Sequence, residues 1–247
     1  MNYRLITAYD GTDFHGWQEQ LNAPEVRTVQ GELRQCLEKI LRHPVELQGS
    51  SRTDAGVHAW GHLSNFHTDN PILPQKIIYA LNGMTKDDLL IRSIDIAPKD
   101  FNARFDSKGK KYCYRFAPKS AITPFNRRTT SEIKGQPDIQ AIKNAIPHFI
   151  GNLDFKAFTC NSGTPRDNTT REIYATDIYE VDGVVSFTVQ GKGFLYKMVR
   201  CLAGALIAVG QKKLHPDDIL EMLQTKIRNP RYSVAEAKGL RLEEVYY

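Results

Sequence analysis

Apolar residues in this chain switch between a period of two and a period of about 3.6, and the switches occur in one order, twice. Residues 3–9 alternate as a strand, with Leu5, Thr7 and Tyr9 opposite Ile6 and Ala8. Thr28 reads as an N-cap for a helix over 28–42, where Val29, Leu33, Cys36, Leu37, Ile40 and Leu41 recur at helical spacing. Short strands are expected at 44–49 and 61–67, and Pro74 opens a helix carrying Ile77, Ile78 and Leu81. A strand over 89–96 completes a β-α-β-β-α-β order. The second half repeats it. Tyr112, Tyr114 and Phe116 alternate with Lys111, Cys113 and Arg115. Ile139, Ile142, Ile146 and Phe149 mark a helix capped by Asp138 and weakened at its end by Pro147. Strands over 173–181 and 184–190 meet at Asp182-Gly183, a type I′ hairpin signal. Phe194, Leu195, Met198, Val199, Leu202 and Leu206 define another helix, 216–224 a short one, and 240–246 a last strand. An order of this kind places helices on one face of an antiparallel sheet. The expectation is an α+β chain of two ferredoxin-like units, residues 1–102 and 103–247, with 98–107 as the junction. The halves share pattern, not identity. Residues 117–137 and 159–171 read as long loops, the places where function concentrates.

Composition excludes several classes. The 247 residues are 41% hydrophobic and 25% charged, ordinary for a globular chain. No apolar run reaches membrane-spanning length, and the N-terminal residues lack a secretion signal, so a cytoplasmic protein with no membrane partner is expected. Cys36, Cys113, Cys160 and Cys201 form no Cys-x-x-Cys pair and read as buried or inert thiols. Net charge is +5, and most basic clusters lie beyond residue 105: Lys108, Lys110 and Lys111, Arg127 and Arg128, Lys197 and Arg200, Arg228 and Arg231. Tyr112, Tyr114, Phe125, Phe194 and Tyr196 are interleaved with them, a pattern suited to a nucleic acid.

Candidate chemistry is sparse. Asp54, His58 and His62 are spaced four apart, but Gly56 and Gly61 interrupt the segment and no His-Glu-x-x-His exists, so no metal is expected. Gly191-Lys192-Gly193 has Tyr196 where a dinucleotide fingerprint needs glycine, and no phosphate loop occurs, so no nucleotide cofactor is expected. Ser50 and Ser51 lack a nucleophile elbow. There remains Asp54. Arg52 can keep a nearby carboxylate ionised, and Ala55 and Gly56 leave room for a planar substrate. Taken alone, Asp54 reads first as an ordinary turn residue.

Longer motifs change that balance. Arg52-Thr53-Asp54-Ala55-Gly56-Val57-His58-Ala59 resembles the signature of the TruA family of tRNA pseudouridine synthases. Tyr9 to Gln18, Arg27-Thr28-Val29-Gln30-Gly31, Phe101 to Phe105, Lys111 to Arg115 and Gly193 to Arg200 resemble further motifs of that family, in its order. The resemblance implies isomerisation of uridine to pseudouridine in the tRNA anticodon arm, at positions 38, 39 and 40. It implies Asp54 as the catalytic carboxylate, either attacking C1′ or assisting a glycal route. Arg200 would be its ion-pair partner, and Arg52 would contact RNA or hold the place of a flipped-out nucleotide. Tyr112 would stack on the uracil and relay the C5 proton; read from its strand alone it is an inward aromatic beside Tyr114. The resemblance implies no cofactor, a central RNA-binding cleft between the two units and a homodimer holding tRNA. Two departures stand out. Ser51 replaces a glycine, and residues 232–240 lack the Gly-Pro-Thr and Ala-Pro-Ala of the family pattern. Two other readings compete: an RNA-binding protein without chemistry, and a metal-dependent hydrolase built on Asp54 and the histidines.

Overall fold

In the computed structural model, residues 1–20, 22–161, 163 and 168–247 are described. Part of the expected 159–171 loop lies outside the described residues. By compactness the chain divides into one unit of Met1–Lys108 with Arg241–Tyr247 and another of Gly109–Leu240.

The first unit runs β1 (Asn2–Tyr9), a 3-10 turn (Gly11–Asp13), α1 (Val29–Leu41), β2 (Leu47–Gly49), β3 (His58–His67), α2 (Pro74–Met84) and β4 (Leu89–Ala97). Strand β1 is antiparallel to both β3 and β4, and β2 is antiparallel to β3 on its other edge. Thr28 caps α1 by accepting from the Gly31 N–H, and Val29, Leu33, Cys36, Leu37 and Leu41 are its buried stripe. In the sheet, Tyr3, Leu5 and Phe66 are fully buried on one face, with Tyr3 stacked on Phe66 at 5.2 Å, and Leu63 is fully buried on the other. Strand β2 is shorter than the expected 44–49. Pro44 has no N–H to give a ladder, and the Val45 N–H donates to Glu38 Oε1 instead. Strand β3 starts at His58, three residues before the expected position, so the end of the Arg52–Ala59 motif is itself strand.

The second unit runs β5 (Gly109–Pro118), β6 (Ser131–Ile133), α3 (Ile139–Ala145), β7 (Gly151–Asp154), β8 (Thr170–Val181), β9 (Val184–Gly191), α4 (Met198–Gly210) and α5 (Asp217–Thr225). Strand β9 lies between β5 and β8, antiparallel to both; β7 extends the far edge of β8, and β6 is parallel to β5. Asp182 and Gly183 both take left-handed φ, 52° and 75°, as a type I′ turn requires. Asp138 caps α3, and the chain then tightens into a 3-10 turn over Ile146–Phe149, where Pro147 cannot donate. Two differences follow from short-range physics. β6 and β7 hold three and four residues, too few for a period of two to register. Helix α4 begins at Met198 instead of Phe194 because Lys197 adopts φ 55°, which breaks helical propagation. Eleven residues of α4 are buried, so it is apolar nearly all round, as an enclosed helix is.

The last strand, β10 (Leu240–Tyr246), pairs in parallel with β3 through Arg241↔His58 and Leu242↔Ala59. The Lys108 N–H donates to Tyr246 O. The C-terminal residues from Arg241 therefore belong to the first unit, although chain order groups them with residues 103–247. Among the described residues no helix is long and apolar enough to cross a membrane.

Arg27 clamps the first unit. Its Nε donates to Glu32 at 2.6 Å, its Nη1 to Asp88 at 2.5 Å, and its guanidinium lies 4.0 Å from the Phe14 ring centroid. The hydrogen bond from Arg27 holds the Asp88 carboxyl below its ordinary range despite burial. A depressed native pKa stabilises fully above the unfolded carboxylate value, about 4, and that contribution is lost as pH falls through the native value. Asp88→Asn should therefore cost about 1–2 kcal/mol at neutral pH and flatten the acid side of the stability curve. Thermal melts between about pH 7 and pH 3 measure this.

Candidate active-site loop

The loop from Ser50 to Val57 connects β2 to β3, and the segment from Asp10 to Trp17, which follows β1, supports it. Thr53 is the anchor. Its hydroxyl is 2.8 Å from the Tyr9 hydroxyl, and its carbonyl accepts the Trp17 N–H at 3.1 Å. Gly56 N–H donates to Phe14 O, Val57 N–H to Asp54 O, and Ser50 N–H to Leu63 O. Ser51 O is 2.9 Å from His62 Nε2, and the His62 ring stacks on Trp17 with centroids 3.6 Å apart. Thr53 and Val57 are buried, Arg52 and Ala55 are exposed, and Asp54 is half-buried between them. A buried threonine anchored through both side chain and main chain is a rigid support for the carboxylate beside it.

Two glycines make this approach possible. Gly16 has φ 91°, and a Cβ there would sit 2.7 Å from Thr53 O; a Cβ on Gly11 would sit 2.0 Å from Val57 O. Ser51, by contrast, has no left-handed φ, so serine in place of the family's glycine meets no backbone penalty.

The histidines serve this scaffold. His58 is buried, with Gly11 N–H 3.0 Å and the Asp10 carboxylate 3.1 Å from the same Nδ1. A bare Nδ1 satisfies the first contact and a protonated one the second. Burial raises the Asp10 pKa, but hydrogen bonds from His58 and Thr12 outweigh it and hold the carboxyl well below its ordinary range. Among the described residues no three His, Cys, Asp or Glu side chains are arranged to hold a metal ion.

The other candidates lie in the second unit. Tyr112 is on β5 opposite Val189 of β9, buried, with its ring edge-on to Phe194 at 5.1 Å. The residues leading into α4 thus brace Tyr112. Arg200 is in the first turn of α4. Its Nε donates to Ala235 O at 2.8 Å, and its carbonyl accepts the Ala235 N–H at 3.1 Å. The segment 232–240, read from sequence only as a departure, therefore orients Arg200. Tyr114 belongs to the same packing: its hydroxyl donates to Glu236 O, and burial pushes its pKa above the ordinary tyrosine range. Lys110, counted with the basic clusters, is buried with its pKa pushed down by desolvation, whereas Lys108 is exposed.

Tyr9, Gly16 and Trp17 lie within the Tyr9–Gln18 motif, where local pattern alone assigns them no part. The usable signal was a glycine beside a large aromatic ahead of a capped helix. Gly16→Ala should destabilise the protein by about 1–3 kcal/mol, and Tyr9→Phe by about 1 kcal/mol, in chemical denaturation. Equal stability of Gly16→Ala and wild type would contradict the close approach.

A family model described as tRNA pseudouridine synthase matches residues 5–106 and 145–247. The chain is 39% identical over 245 residues to tRNA pseudouridine synthase A of Ruminiclostridium cellulolyticum, covering 99% of this chain and 98% of the relative. It is 37% identical to the protein of that name from Acetivibrio thermocellus, covering 100% and 99%. It is 38% identical to tRNA pseudouridine synthase A 2 of Clostridium tetani, covering 100% and 98%.

Proposed function

The chain belongs to the tRNA pseudouridine synthase family, and from that premise we propose that Asp54 is its catalytic carboxylate, acting on uridines 38, 39 and 40 of the anticodon arm. The enzyme is an isomerase: the N1–C1′ bond breaks, the uracil turns, C5 joins C1′, and the C5 proton is lost as N1 gains one. No electrons leave the substrate, so the reaction calls for no redox cofactor.

The observation that carries this reading is the anchoring of Thr53 by Tyr9 and Trp17 beside the half-buried Asp54. A nucleophile or electrostatic partner at C1′ must be ionised and held still against a base drawn from its stack. Exposed Arg52 on the same loop suits contact with the RNA backbone or the space left by the flipped base. Tyr112 offers a braced ring for the uracil and a hydroxyl for the C5 proton. Arg200, whose Nε is held by Ala235 O, takes in this reading the role of ion-pair partner to Asp54 that the family resemblance implies. The first unit's strand order, β4-β1-β3-β2, supports a ferredoxin-like reading of that unit, and the repeated sequence pattern extends it to the second. Family resemblance supports a cytoplasmic homodimer whose basic clusters hold the tRNA.

Asp54→Ala should abolish pseudouridine formation, read by mapping the modified nucleoside in tRNA, while tRNA affinity stays within several-fold. Surviving activity in that variant sinks the mechanism, and activity abolished by chelation would favour the hydrolase reading. Tyr112→Phe should bind normally and turn over more slowly; an unchanged rate reduces its hydroxyl to packing. Affinity for tRNA should fall steeply as salt rises.

A further inference from the structure

Cys160 and Cys201 are forty-one residues apart in sequence, yet their sulfurs lie 4.0 Å apart. Cys160 sits in the loop after the 3-10 turn Lys156–Phe158 and is half-buried; Cys201 is in the first turn of α4 and fully buried. Arg228 joins them. Its Nη2 is 3.0 Å from Cys201 Sγ and 3.8 Å from Cys160 Sγ, and its guanidinium is fixed by Ala157 O and Thr159 O. The Cys160 N–H and the Thr159 hydroxyl both donate to Tyr196 O, which ties this loop to the approach of α4. Cys160, half-buried in its loop, is the thiol of the pair that a small oxidant reaches first, since Cys201 is fully enclosed. The Cys201 thiol is pushed up to about 12 by burial, with Arg228 offsetting only part, so it keeps its proton at rest.

We propose that Cys160 and Cys201 form a peroxide-sensitive dithiol that closes into an intrachain disulfide and slows the enzyme. The Cys160 sulfur attacks hydrogen peroxide and becomes a sulfenic acid as the O–O bond breaks and water leaves. The Cys201 sulfur then displaces the sulfenic hydroxyl, which departs as a second water carrying the Cys201 proton. Two thiols are oxidised and one peroxide is reduced to two waters. The sulfurs must approach by about 2 Å to reach bonding distance. The bridge fastens the loop to the residue next to Arg200 and removes the Cys201 thiol from Arg228; that this slows catalysis rests on the role given to Arg200 above.

The test treats the full-length reduced protein with a small excess of hydrogen peroxide, alkylates it after denaturation, and compares intact mass and peptides with tRNA activity. The expected product has lost two hydrogens, carries a Cys160–Cys201 linked peptide pair, and reverts with dithiothreitol. Cys160→Ser and Cys201→Ser should each lose that product, and activity should fall on oxidation of the wild type but not of Cys201→Ser. Oxygen addition without linkage, linkage between chains, or a different cysteine pair overturns the dithiol. A bridge that forms with activity unchanged overturns the control of catalysis and leaves the role of Asp54 to its own variant.

Discussion

Thr53 is the point on which the candidate loop depends. Its hydroxyl meets the Tyr9 hydroxyl and its carbonyl takes the Trp17 N–H, so side chain and main chain are held by different parts of one preceding segment. Two anchors on a single buried residue leave its neighbours little conformational freedom. With Thr53 buried, Arg52 lies exposed on one side of it and Asp54 half-buried on the other. The conformational entropy of ordering this loop is thereby lost on folding.

Much of the first unit reads as support for that arrangement. Gly11 and Gly16 let the Asp10–Trp17 segment approach the loop at distances no Cβ allows. Trp17 fills the space beneath and stacks on His62, which in turn contacts Ser51 O. Arg27 ties Phe14 to α1 and to Asp88. Residues that look like potential metal ligands in sequence are in this way occupied with packing and hydrogen bonding.

The second unit solves a related problem differently. An enclosed helix, α4, carries one arginine in its first turn, and a reciprocal pair of hydrogen bonds with Ala235 fixes that arginine at both main chain and side chain. Lys197 takes a left-handed conformation just before the helix, and Phe194, ahead of it, meets Tyr112 edge-on. The same turn of α4 brings Cys201 against Cys160 and Arg228, so the thiols and Arg200 share one local framework.

Local chemistry was legible in the amino-acid sequence. The capped α1, the Asp182-Gly183 turn, the helix weakened at Pro147 and the motif around Asp54 all depend on neighbours within a few residues, and a linear reading captures them. The sequence by itself thus determined most of the longer elements and the family. Only the tertiary structure decided that β10 pairs with β3, that α4 starts at Met198, that Lys110 is buried, and that Ala235 holds Arg200. Each of these is a contact between residues distant in the chain, or a backbone state imposed by one. Such pairings depend on which surfaces meet in the folded chain, and the periodicity of a single segment carries no record of its partner.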